Sequence, residues 1–219
     1  MKPNLWTLFA LTVVIFLYPL RGRAGAIIHS SGLEAYATTD TWDESGCVET
    51  VVYMDAVRGK AQQPPGPPAP GAFLYAGISL NNICTGEWSY AYGGTTLADS
   101  DFQIAKNLNN AQLAATPSLD GTHCSAPDEN GQVSCNEIHL SGIVNLSWTP
   151  TTPPSSERQT DSNHTPKCNQ TYRATGTFRM AAVSGSFSDG TNNYGFAEDA
   201  FALMGSARYS TLIVGCSSF

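Results

Sequence analysis

The sequence predicts an all-β fold: a single-domain antiparallel β-sandwich with about three disulfides and two proline-rich loops. Three observations predict it. Apolar residues alternate instead of recurring every three or four positions, which is the period of strands. Thr, Ser, Asn and Gly are abundant where helix formers would be needed. Six cysteines follow a segment that reads as an export signal, and an oxidising compartment favours their pairing.

The elements follow in chain order. Lys2 precedes an apolar run from Leu5 to Leu20, and Ala24 and Ala26 supply small-x-small spacing, so residues 1–26 read as a signal peptide cleaved after Ala26. The run contains Pro19 and falls short of the roughly 20 residues of a membrane helix. If retained, with Arg21 and Arg23 at its end, it would anchor the chain at the cell surface; otherwise the mature protein is secreted and carries no stable membrane span. Cleavage leaves 219 − 26 = 193 residues, enough for one buried core. It removes three of the 11 basic side chains and no acid, so the mature charge is 8 − 18 = −10. Scattered cations on an acidic chain argue against nucleic acid as a partner.

The stretches CVETVVYMDAV and AFLYAGISLNNIC read as a hairpin around a proline-rich connection at 62–71, because proline cannot donate to a ladder. Pairing about a centre between Pro65 and Gly66 sets Cys47 opposite Cys84, Val51 opposite Leu80 and Tyr53 opposite Ile78. That predicts a Cys47–Cys84 bridge. In EWSYAY, alternation puts Trp88, Tyr90 and Tyr92 on one face. The usual place for such a row is the core; exposed, it becomes a surface for sugar rings or a protein partner.

The cluster HCSAPDENGQVSCNEIH brings His123, Cys124, Cys135 and His139 close in sequence. Zinc sites favour short pair spacings, whereas SAPDENGQV is built of turn formers, so the spacing predicts a Cys124–Cys135 disulfide and no metal. Cys168 and Cys216 then pair by elimination. In IHLSGIVNLSW, Ile138, Leu140, Gly142, Val144, Leu146 and Trp148 share a core face and His139 points away. Residues 149–168 read as a long mobile loop within the domain 27–219. In YRATGTFRM, Tyr172, Ala174, Gly176, Phe178 and Met180 are expected inward and Arg173 and Arg179 outward. FAEDAFALMG is the one stretch considered for a short helix.

Candidate chemistry is sparse. There is no G-x-S-x-G, H-E-x-x-H or phosphate-binding glycine loop. His164 reads as a solvated loop residue, His29 as part of a frayed start, and Glu49 and Asp55 as sheet-end charges in water. The acidic turns ADSD and SDGTNN lack the spacing of a calcium loop. Asn145, Asn163 and Asn169 begin N-x-S/T sequons in accessible positions. Cys135 and Trp148 are spaced as the first cysteine and core tryptophan of an immunoglobulin domain, but the match ends there, because no tyrosine stands two residues before Cys168 or Cys216.

The sequence therefore predicts a non-catalytic secreted binding or surface module, without cofactor. Its expected ligand is extracellular, carbohydrate or protein, and Trp88, Tyr90 and Tyr92 are its candidate contacts. The alternative is a secreted hydrolase acting on extracellular polysaccharide. Two carboxyls converging in a groove, with at least one raised pKa, would be its mark.

Overall fold

The computed structural model describes residues 26–62, 69–165, 168–196 and 200–214, which form strands and their connections with no helix among them. The chain begins with three long strands, β1 (Ala26–Trp42), β2 (Val48–Gln62) and β3 (Ala69–Asn82), followed by β4 (Glu87–Leu97) and the short β5 (Phe102–Ile104). Then come β6 (Ala111–Ala115), β7 (Ser118–Cys124), β8 (Cys135–Ser141) and β9 (Ile143–Pro150). The last four are β10 (Ser155–Thr165), β11 (Cys168–Ser188), β12 (Asn193–Phe196) and β13 (Phe201–Val214). All ladders are antiparallel and belong to one sheet, in the order β5-β6-β9-β11-β13-β1-β2-β3-β4-β7-β8, with β10 and β12 also on β11. A single sheet curled into a half-barrel thus replaces the two stacked sheets of the expected sandwich.

The curl follows from side-chain reach. Trp148 on β9 donates its indole N–H to the Tyr36 carbonyl on β1 at 2.9 Å. In the sheet those strands lie three steps apart, roughly 14 Å if the sheet were flat at ~4.8 Å per strand, beyond the reach of an indole. The sheet must therefore bend around the Trp148 face. Arg58 on β2 likewise donates to the Phe102 and Asp99 carbonyls around β5, at the far margin of the sheet. The inside of the curl is the core. Small residues such as Ala35, Ala37, Ala56 and Ala76 form its floor, and Trp148, Phe102, Phe187, Met54 and Leu74 fill it.

One bent hairpin ties the two margins together. Cys124 faces Cys135, Leu119 faces Leu140, Leu113 faces Leu146 and Ala111 faces Trp148, so β6–β7 and β8–β9 share one uninterrupted register. Near its tip the hairpin docks on β4 through β7, and near its base on β11 through β9. The bend falls where Gly142 donates its N–H to the Pro117 carbonyl, at 3.2 Å. Glycine is required at this corner, because a Cβ there would stand 2.2 Å from the Phe187 ring. The alternation expected for 138–148 holds through the corner, with Val144, Leu146 and Trp148 buried and His139 and Asn145 exposed.

Both disulfides that fall in the described residues form as expected, Cys47–Cys84 and Cys124–Cys135. Cys216 lies outside the described residues, as does the signal segment up to residue 25. Several expectations are corrected. In the β2–β3 hairpin, Tyr53 faces Gly77 and Val52 faces Ile78, a slip of one residue from the anticipated register. A slip of one turns a strand over, so Val52, Met54 and Ala56 enter the core in place of Val51 and Tyr53. The Tyr53 ring instead occupies the space that a Cβ on Gly77 would need, with its Cε1 2.2 Å from that point.

The segment expected as a loop at 149–168 contains β10, paired along its length with β11. Its residues are polar on both faces and exposed, as an unprotected edge strand requires, and that composition mimics a loop. FAEDAFALMG is not a helix where described, since Phe201 already belongs to β13. On β11 the core positions are Ala181, Val183 and Phe187, so Tyr172, Ala174, Gly176, Phe178 and Met180 lie on the outer face and Arg173 on the inner one, the reverse of the expectation. Arg179 is on the inner side and donates to the Thr152 carbonyl and the Asn109 amide oxygen.

Replacing Gly142 by valine should lower stability by about 1–3 kcal/mol, the usual effect of overpacking a filled site. Urea unfolding should show the shift in midpoint. A wild-type midpoint for Gly142→Val would mean that the corner is not constrained as described.

Candidate functional site

Alternation along β4 sends Ser89, Ala91 and Gly93 inward and Trp88, Tyr90 and Tyr92 outward. The inward side has little room, since a Cβ on Gly93 would meet the Ser118 carbonyl at 2.2 Å. The large rings therefore stand outside the curl, 39%, 41% and 63% exposed, which corrects the expectation of a core row. They form a ladder of nearly parallel rings. Trp88 and Tyr90 have centroids 5.7 Å apart at 9°, and Tyr90 and Tyr92 6.2 Å apart at 8°.

The neighbouring strands frame the ladder. On β3 the facing residues are Asn81, Ser79 and Gly77, and on β7 they are Cys124, Thr122 and Asp120. Through Gly77 the aromatic surface continues to Tyr53. One strand further, His139 lies opposite Asp120, with Nδ1 2.6 Å from the carboxylate. That hydrogen bond, with the charge of Asp120, raises the imidazole's pKa above its ordinary value. His123 pairs with Glu87 at 3.6 Å on the opposite face of the sheet.

A second feature on the outer face was not legible in the sequence. Asp55 is 7% exposed, not a sheet-end charge in water. It faces Tyr36 on β1, diagonal to Glu34, and faces Tyr75 on β3. The two carboxyls share a hydrogen bond. Burial pushes the Asp55 carboxyl up to about 7. Burial, then the charge of Asp55, then their hydrogen bond push Glu34 well above the carboxylate range. Burial and next the Asp55 charge raise the Tyr53 and Tyr75 phenols. One carboxylate oxygen of Asp55, Oδ1, is buried without a hydrogen-bond partner, an arrangement that costs stability. Glu34 escaped sequence reading, although its place between Leu33 and Ala35 in an alternating tract marks the face it shares with Tyr36.

The remaining candidates take ordinary places. Asn145, Asn163 and Asn169 are all exposed, and His164 contacts the Asn169 side chain at 3.0 Å. The two acidic turns use their own carboxylates: Asp101 accepts from the Ala98 N–H, and Asp189 from those of Thr191 and Asn192. No described helix is long and apolar enough to cross a membrane.

Fold and surface together define an antiparallel, disulfide-bonded all-β protein with an exposed aromatic ladder. No protein-family model matches the chain. No curated protein matches it either.

The acid pair dictates a pH dependence. Asp55 has a folded pKa of about 7 against an ordinary 3.8, so between those values the folded state holds a proton that the unfolded state releases. Stability is therefore full below about pH 4 and falls as pH rises through 7. The loss is of the order of 4 kcal/mol, with Glu34 acting in the same direction. Thermal unfolding should show a melting temperature that declines from pH 4 to pH 8. Asp55→Asn should flatten the decline and stabilise the protein at pH 8; an unchanged profile would show that Asp55 titrates normally.

Proposed function

We propose that this protein is an exported, non-catalytic binding module that holds an extracellular ligand along the aromatic ladder of β4. The observation that carries the reading is the exposure of three parallel rings on one strand. Aromatic side chains gain large contact area for little rotamer entropy, and burying them inside is the norm for a sheet. Asn81, Ser79, Thr122 and Asp120 beside the rings supply hydrogen-bonding groups to a polar ligand. Two disulfides are consistent with an extracellular location, and the leader-like residues 1–26 support secretion. The reading includes a third bridge, Cys168–Cys216, which would staple the last two long strands.

The acid pair favours the hydrolase alternative in one respect, since Asp55 carries the raised pKa such an enzyme needs. Its geometry speaks against it. Glycosidase carboxyls stand about 5 Å or more apart to flank the scissile bond, whereas these two hydrogen-bond each other between the cross-strand neighbours Tyr36 and Tyr75.

Titration against oligosaccharides and oligopeptides, read by indole emission, should find at least one ligand class. Trp88→Ala or Tyr92→Ala should weaken it about tenfold, as for a hot-spot aromatic, without lowering the melting temperature. Ladder variants that bind every ligand as tightly as wild type would remove the reading. For the third bridge, a thiol reagent should find no reactive sulfur in the unreduced, denatured protein; two thiols per chain would refute that pairing.

A further inference from the structure

We infer that the ligand of the β4 ladder is a cationic, extended polypeptide segment, its arginine or lysine side chains seated against the rings. This inference rests on the reading of the ladder as the binding row and adds the chemistry of the occupant.

The first argument is the distribution of charge between the two sides of the sheet. Following each ladder from the core positions outward, every Asp and Glu in the described strands except Glu87 falls on the outer face. Every Lys and Arg in the described strands, namely Arg58, Lys60, Arg158, Arg173, Arg179 and Arg208, falls on the opposite side. Within two strands of the ladder this leaves, besides the buried Asp55, Glu49, Asp120 and Glu137 as the acids on the outer face of the described strands, with His139 the one basic side chain there, already engaged by Asp120. Trp42, half exposed, lies in the same cross-strand row as Glu49, Asn81 and Trp88 and extends the aromatic surface into that acidic field. A face of aromatic rings rimmed by carboxylates attracts cations through ring quadrupole and Coulomb field together. It repels the anionic polymers that a basic face would gather.

The second argument is spacing. The rings repeat at 5.7 and 6.2 Å along β4. An extended polypeptide presents alternate side chains on one face every ~6.6 Å. A strand-like segment lying along β4 thus brings successive cations to successive rings. Arginine suits the position best, because its planar guanidinium stacks on aromatic faces while its N–H groups meet carboxylates edge-on.

The test uses an alternating arginine-threonine decapeptide, with an alternating glutamate-threonine decapeptide and a glucosamine oligomer as comparisons. Indole emission of the full mature chain reports binding. The expected result is saturable binding of the basic peptide, weakened by salt and absent for the acidic one. Trp88→Ala, Tyr92→Ala and the pair Asp120→Asn with Glu137→Gln should each weaken it about tenfold. Glu87→Gln, which removes one carboxylate from the other face, should leave it unaltered, whereas Asp120→Asn or Glu137→Gln alone should each weaken it. Equal effects of Glu87→Gln and of either single outer-face substitution would overturn the inference as diffuse charge attraction. Binding of the glucosamine oligomer but not the basic peptide, lost in the ladder variants, would overturn the peptide assignment while leaving the ladder as the binding row. Binding of the basic peptide that ignores the ladder variants would overturn the inference together with the reading beneath it.

Discussion

The hydrogen bond from Trp148 to the Tyr36 carbonyl is the contact on which the architecture turns. It joins strands that a flat sheet would hold apart, so the chain can make it only by rolling the sheet around its apolar face. The bend at Pro117 and Gly142 lets the same chain follow that roll, because one hairpin must lie against β4 with one half and β11 with the other. Core composition follows from this. With an indole lying across the floor of the curl, the strands beneath it carry alanine at Ala35, Ala37 and Ala202, and larger side chains there would displace it.

Rolling the sheet inward leaves the other face without a second layer among the described residues. Large rings on β4, β2 and β3 stand on that face, and the acids stand among them. Most of those acids meet water, which keeps them inexpensive. Asp55 is buried with the half-buried Glu34 beside it, and the energetic consequence is a raised pKa on both carboxyls. Asp55 lies one cross-strand row from the ladder, beyond Tyr53 and Gly77.

The sequence reveals one kind of information well and another poorly. Alternation from Ile138 to Trp148 is unambiguous, because one face is turned to the core along the whole tract, partly buried at Ile138 and Leu140 and fully from Val144 on, so the facing was legible residue by residue. The corner at Gly142 was not, since alternation continues across it and only pairing partners change. On β2 the run Val51, Val52, Tyr53, Met54 is apolar at both parities, and nothing local chooses the register; the Tyr53 ring over Gly77 chooses it. Polar β10 resembles a loop because an edge strand has no buried side to betray it. Two disulfides were readable, one from facing strands and one from a turn-rich interval. The exposure of Trp88, Tyr90 and Tyr92 was not, because a row of rings looks the same from sequence whichever way it faces. Glu34 and Asp55 meet only through the β1–β2 register, so their partnership required the fold.

The common register of β6–β7 and β8–β9 also restricts how this protein can change over time. A residue gained or lost in either arm would shift the pairing on one side of the corner and, through it, the seating on both β4 and β11. The ten residues between Cys124 and Cys135 are different, for they lie past the ends of β7 and β8 and behind a covalent clasp. Length variation among descendants of this chain should therefore accumulate there, and a foreign peptide could be spliced into that tip with the curled sheet unaware of it.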